Sequence, residues 1–99
     1  MSDFNKLKDL VDSDDNMVKF VGVCGIRRLL TMEENSPIQK VIDNNLVPKL
    51  IHFLSRDDFP QLQFESAWCI TNIACGEHKY AQTLLDHGAI EALIKLLNN

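Results

Sequence analysis

Ninety-nine residues, 45% of them apolar and 24% charged, make one small globular domain's worth of chain, at the low end for burying a self-sufficient core. No apolar run approaches the roughly 20 residues that cross a bilayer, and MSDFNKLKDLV lacks the basic and apolar regions of a secretory signal. A net charge of −4 speaks against nonspecific nucleic-acid binding and favours cationic partners, while an odd set of cysteines (Cys24, Cys69, Cys75) suits reduced thiols in a cytosolic or nuclear compartment.

The first element starts at Phe4, where Leu7, Leu10 and Val11 fall at i, i+3, i+4 and predict a helix. Asp12-Ser13-Asp14-Asp15 lacks the glycine and closing glutamate of a calcium loop and reads as a charged turn. A second helical stretch, KFVGVCGIRRLL, covers 19–30, and Glu33-Glu34 reads as a solvated turn. Asn35-Ser36-Pro37 supplies an N-cap followed by proline at the first helical position of a short helix, about 37–44. Asn44-Asn45 ends it where a left-handed residue is commonly needed. Leu50, Phe53 and Leu54 mark a medium helix, about 47–56, and Asp57-Asp58-Phe59-Pro60 closes it and opens a long one, about 60–75. A further short and medium pair follows, with His87-Gly88 where Asn44-Asn45 stood. No segment alternates as a strand, so the fold class is all-α.

The elements recur. Leu7, Leu50 and Leu93 are spaced 43 residues apart, as are Val11, Leu54 and Leu97. PIQKVIDNNLVP matches YAQTLLDHGAIE at the same offset, and KFVGVCGIRRLL matches QFESAWCITNIA at 44. A period near 43 with three helices per unit, the first short, is the armadillo arrangement rather than the two-helix HEAT pattern. The chain is expected to be a right-handed armadillo solenoid of about two repeats: a partial repeat over 4–35, a full one over 36–78 and a partial one over 79–99.

On the long helix Gln61, Glu65, Trp68, Asn72 and Cys75 step by four, three, four and three, which makes one stripe. Phe64, Ala67, Thr71 and Ala74 form a neighbouring stripe suited to packing between two helices. An amide and a carboxylate beside the single tryptophan do not belong in a dry core without partners, so the first stripe is expected on the inner, concave side of the solenoid.

QFESAWCITNIACG, preceded by PIQKVIDNNLVPKLIHFL and followed by DHGAI, closely resembles the N-terminal armadillo repeats of importin-α, over about residues 4–99. The resemblance implies a groove in which Trp/Asn pairs hold an extended basic nuclear localisation signal peptide. Asn72 would bond the peptide backbone and Trp68 would wall a lysine channel, with Glu65, Gln61, Cys75 and Gly76 around them. The physics agrees, because an amide offers both donor and acceptor and an indole face attracts a cation. Glu65 adds a charge suited to a cationic peptide.

The sequence departs from that pattern in places. The equivalent stripe of the first repeat carries Met17, Val21, Cys24 and Arg28, and an arginine opposite Asn72 would repel a basic ligand. Cys75 stands where the family commonly has serine. Only one Trp/Asn rung is present, so peptide binding is expected to be weak, and the following acidic position is missing. With no Arg/Lys-rich N-terminal arm in the sequence, importin-β binding is not expected. Ile90, Leu93, Ile94, Leu96 and Leu97 lack a following helix, and Phe4, Leu7 and Leu10 a preceding unit, which predicts a truncated piece that forms a homo-oligomer through its ends.

Other chemistry finds no support. His52 lies on the polar side of the medium helix and His78 and His87 in loops, and Cys75-x-x-His78 is half of a metal pattern. There is no phosphate loop or nucleophile elbow, so no enzyme, cofactor, metal, nucleic acid or membrane partner is expected. Two readings stand: an importin-α-like adaptor of cytoplasm and nucleus, or a self-assembling armadillo scaffold, engineered or natural, with no peptide ligand.

Overall fold

The computed structural model describes residues 2–32 and 37–98, and the described residues form helices joined by short turns, with no strand among them. In order these are α1 (Ser2–Val11), α2 (Asn16–Met32), α3 (Ile38–Asp43), α4 (Leu46–Phe53), α5 (Pro60–Ala74), α6 (His78–Asp86) and α7 (Ala89–Leu97). The expected cap at Asn35-Ser36 and the Glu33-Glu34 pair lie outside the described residues.

Local chemistry sets most of the boundaries. Asp15 Oδ1 accepts the main-chain N–H groups of Met17 at 2.9 Å and Val18 at 3.2 Å, so the charged turn caps α2. Pro60 opens α5 in its first turn, where a missing N–H costs nothing. Asn45 (φ 60°) and Gly88 (φ 80°) are the left-handed residues that turn α3 into α4 and α6 into α7.

Three boundaries differ from expectation. Pro37 precedes the first helical residue, Ile38, instead of being it. The medium helix stops at Phe53, because Leu54 and Ser55 donate to the carbonyls three residues back, which tightens the last turn. His78 opens α6 and is not a loop residue, and His87 follows that helix directly.

α5 is the central element and packs against α2, α4 and α6, while α1 lies on α2. Its buried residues Leu62, Cys69, Ile70 and Ile73 share one face and meet Val23 and Ile26 of α2 and Leu46, Leu50 and Leu54 around α4 in a single core. The molecule measures 37 × 33 × 20 Å, and the short dimension is about two helix diameters, as a layered solenoid requires.

Polar seams close the turns. Buried Gln63 donates through Nε2 to the Leu54 carbonyl and to Asp57 Oδ1, both at 3.0 Å, which joins α5 to the turn before it. Arg56 donates to Asp58 and, through Nη2, to Asn16 Oδ1 at 3.0 Å, tying that turn to the start of α2. Lys49 of α4 pairs with Asp12 after α1.

The two ends of the stack are unlike. Phe4 is buried and Leu7 packs on the core, so α1 covers its own end against α2, contrary to the expectation that this end lies open. At the other end Leu84 and Ala89 are buried and Leu93 and Leu96 pack on the core, but Leu85, Ile90, Ile94 and Leu97 are exposed.

Candidate peptide-binding site

The expected stripe on α5 lies at the surface. Gln61 and Cys75 are exposed at its ends, Trp68 is 48% exposed, and Asn72 is half-buried. A tryptophan acting as a core anchor would be buried, so Trp68 is available to a ligand. From Gln61 to Cys75 the stripe runs about 21 Å along α5 at the helical rise per residue. The equivalent residues of α2 lie on the surface as well, with Met17, Val21 and Arg28 exposed.

Asn72 Nδ2 donates to the Trp68 carbonyl one turn back at 2.9 Å. That bond uses one of the two amide hydrogens and holds the side chain along the helix. The second N–H and Oδ1 remain, one donor and one acceptor, matching an extended peptide backbone.

Phe64 departs from its expected packing role. It is 62% exposed and stacks on Trp68, with ring centroids 6.1 Å apart and planes 25° from parallel. Thr71 and Ala74 of the neighbouring stripe are exposed as well, and Ala67 alone of its four residues packs on the core. Thr71 turns its hydroxyl back to the Ala67 carbonyl at 2.9 Å. The two rings form one apolar platform on the exposed face of α5.

Glu65 is not a free charge for a cationic ligand. Arg27 of α2 donates through Nε to Glu65 Oε1 at 2.8 Å, with the side chains 30% and 15% exposed. This bond pushes the Arg27 guanidinium still further above its ordinary value, so it stays charged at any pH a folded protein meets. Arg27, Glu65, Phe64 and Trp68 together line a shallow, open surface pocket of about 230 Å³ between α2 and α5. Sequence reasoning missed Arg27 because it compared stripes helix by helix, which set Arg28 against Asn72. An arginine one position away, reaching across a helix pair, carries no periodic signal.

Gly76 follows α5 at close quarters: a Cβ there would come within 2.8 Å of Ile38 Cδ1 and 3.0 Å of Tyr80 Cδ2, so those side-chain ends would have to shift. Its smallness lets the end of α5 approach α3 and α6. The thiols differ by depth. Burial, and then the Glu65 carboxylate, push Cys24 up, burial pushes Cys69 up much further, and Cys75 is exposed.

An armadillo/beta-catenin-like repeat matches residues 34–75. Importin subunit alpha-1a of Oryza sativa subsp. japonica is 45% identical over 89 residues, which is 90% of this chain and 17% of that protein. Importin subunit alpha-3 of Arabidopsis thaliana is 39% identical over 106 aligned positions, covering 100% of this chain and 20% of its own length. The chain thus spans a fifth or less of these curated relatives. Among solved structures, the crystal structure of an engineered protein, a Northeast Structural Genomics Consortium target, superposes with a TM-score of 0.84 at 28% identity, over 98% of this chain and 38% of that one. A second engineered protein from the same consortium gives a TM-score of 0.86 at 27% identity, over 100% of this chain and 24% of the other. The repeat match, identity running along nine tenths of the chain and a shared helical stack agree: this chain is an armadillo-repeat segment similar to part of the importin-α subunits.

Proposed function

We propose that this chain works as an importin-α-like nuclear import adaptor unit and holds an extended Lys- and Arg-rich nuclear localisation peptide along α5. The observation that carries the reading is Trp68, half-exposed, one turn before an Asn72 amide that keeps a donor and an acceptor. The indole face would take the aliphatic stem and charge of a lysine, and Asn72 the backbone beside it. Gln61 and Cys75 would touch the peptide further along the stripe, and Gly76 would keep the end of the groove close-packed. On this reading the chain is an adaptor and not an enzyme, and it works between cytoplasm and nucleus.

Titration with a lysine-rich signal peptide, followed by calorimetry and by Trp68 fluorescence, tests this. Asn72→Ala is expected to weaken binding about fivefold, the worth of one hydrogen bond. Trp68→Ala is expected to weaken it about five- to thirtyfold, and Arg28→Ala to leave it unchanged or slightly tighter. Parental affinity in both loss variants, with helicity intact, would show that the groove lies elsewhere.

A second reading has its own support. Ile70, Ala74, Leu84, Leu85, Ala89 and Leu93 line an apolar groove of about 300 Å³ at the C-terminal end, beside exposed Ile90, Ile94 and Leu97. One repeat earlier, the corresponding position is filled by α5 itself. The second reading is a self-assembling scaffold in which another copy of the chain covers this groove. Light scattering at rising concentration is expected to show a mass of at least two chains. A mass of one chain at millimolar concentration would eliminate assembly through this end.

A further inference from the structure

The pocket between α2 and α5 contains one acid and one base already joined to each other, and two aromatic rings stacked on one another. Glu65 has the charge a lysine subsite needs, yet Arg27 holds it at 2.8 Å, and the pair is mostly covered. The pocket's other walls are Phe64 and Trp68, both largely exposed and stacked together. A peptide ammonium entering here meets an acid whose charge is matched, beside a guanidinium that repels it. To bind, it would have to displace a cation that is covalently part of the protein and already positioned. An aliphatic side chain meets no such competition, and it covers ring surface that water otherwise touches.

We infer that this pocket, on the side of Trp68 that faces α2, is an uncharged-side-chain subsite of the groove, with Arg27 as the residue that excludes lysine and arginine from it. The inference rests on the peptide-binding reading above and refines it. Trp68 then has two different sides. Its α2 side takes an apolar peptide residue against Phe64, and the side toward Asn72 takes the basic stem. A ligand for this rung is a basic peptide interrupted by one aliphatic residue, not an unbroken run of lysines. The removal of Arg27 frees Glu65 and turns the same pocket into a cation site, because the acid is then left beside two aromatic faces.

A peptide series tests this: a lysine-rich parent and variants with one leucine walked through every position, each titrated by Trp68 fluorescence. The proteins are the parent chain, Arg27→Gln, Glu65→Gln and the double variant, with circular dichroism showing each one folded. On the parent chain, one leucine position is expected to bind about two- to fivefold tighter than lysine there, the range set by an ion pair of this exposure. In Arg27→Gln that preference is expected to invert, and in the double variant to return to leucine. Peptides that bind with no position favouring leucine, or the same preference in Arg27→Gln and the parent, overturn the subsite while leaving the groove standing. No Trp68 response to any peptide, leucine-bearing ones included, overturns the groove and the subsite together.

Discussion

Leu62→Ala is expected to lower the free energy of unfolding by about 4 kcal/mol, within the range for truncating a large buried aliphatic. Leu62 is 0% exposed and sits in the first turns of α5, on the face that carries Cys69, Ile70 and Ile73. Those turns are also pinned by Gln63 to the chain end of α4, so the backbone has little freedom to collapse into the cavity. Incomplete collapse places a substitution toward the upper half of the observed costs. Domains of this size have about 5–15 kcal/mol in hand, so the variant is expected to lose a large share of its stability. Urea unfolding followed by far-UV circular dichroism measures it. A cost below about 1 kcal/mol would mean that α5 is not the packed centre of the molecule.

Gly22→Ala and Gly25→Ala should separate sharply, although both glycines lie on the same helix and face α1. In an exposed helix either change would stabilise by up to about 1 kcal/mol, because glycine is a poor helix former. At Gly22 an added Cβ would lie 2.7 Å from the Val11 nitrogen and 3.0 Å from the Leu10 carbonyl carbon. These are backbone atoms, so the whole of α1 must move away from α2, and overpacking of this kind costs about 1–3 kcal/mol or more. The clash wins, and the expected result is a net loss of about 2 kcal/mol. At Gly25 the atoms met are the end of the Leu7 side chain, which can rotate on a half-covered surface. There the helix gain and the rotamer cost are expected to cancel to within about 0.5 kcal/mol. The same denaturation series reads both. Equal effects at the two positions would disprove the close approach of α1 to α2 at Gly22.

The fold was largely legible because repetition and helix punctuation act locally. Leu7, Leu50 and Leu93 recur with the period, and Pro60, Asn45 and Gly88 each act on the backbone of one turn. The surface position of Trp68 and Asn72 was legible for a related reason: a helix face is defined by spacing along a single element. The environment of that face was not. Phe64 belongs to a stripe that reads as packing, yet it is 62% exposed and stacks on Trp68 at the surface. Phe4 reads as an end left bare, yet α1 folds its apolar side onto α2.

Sequence by itself determined the helix order, the armadillo period and the stripe that bears the Trp/Asn pair, since all of these follow from side-chain periodicity and the backbone preferences of single residues. Tertiary structure alone decided the character of the site. Whether Glu65 is a free acid depends on Arg27, a residue 38 positions away in the chain that the packing of α2 on α5 brings to 2.8 Å. Periodicity ranks the faces of one helix. The charge a ligand meets is set between two helices, where distance in space and not spacing in sequence governs the energy.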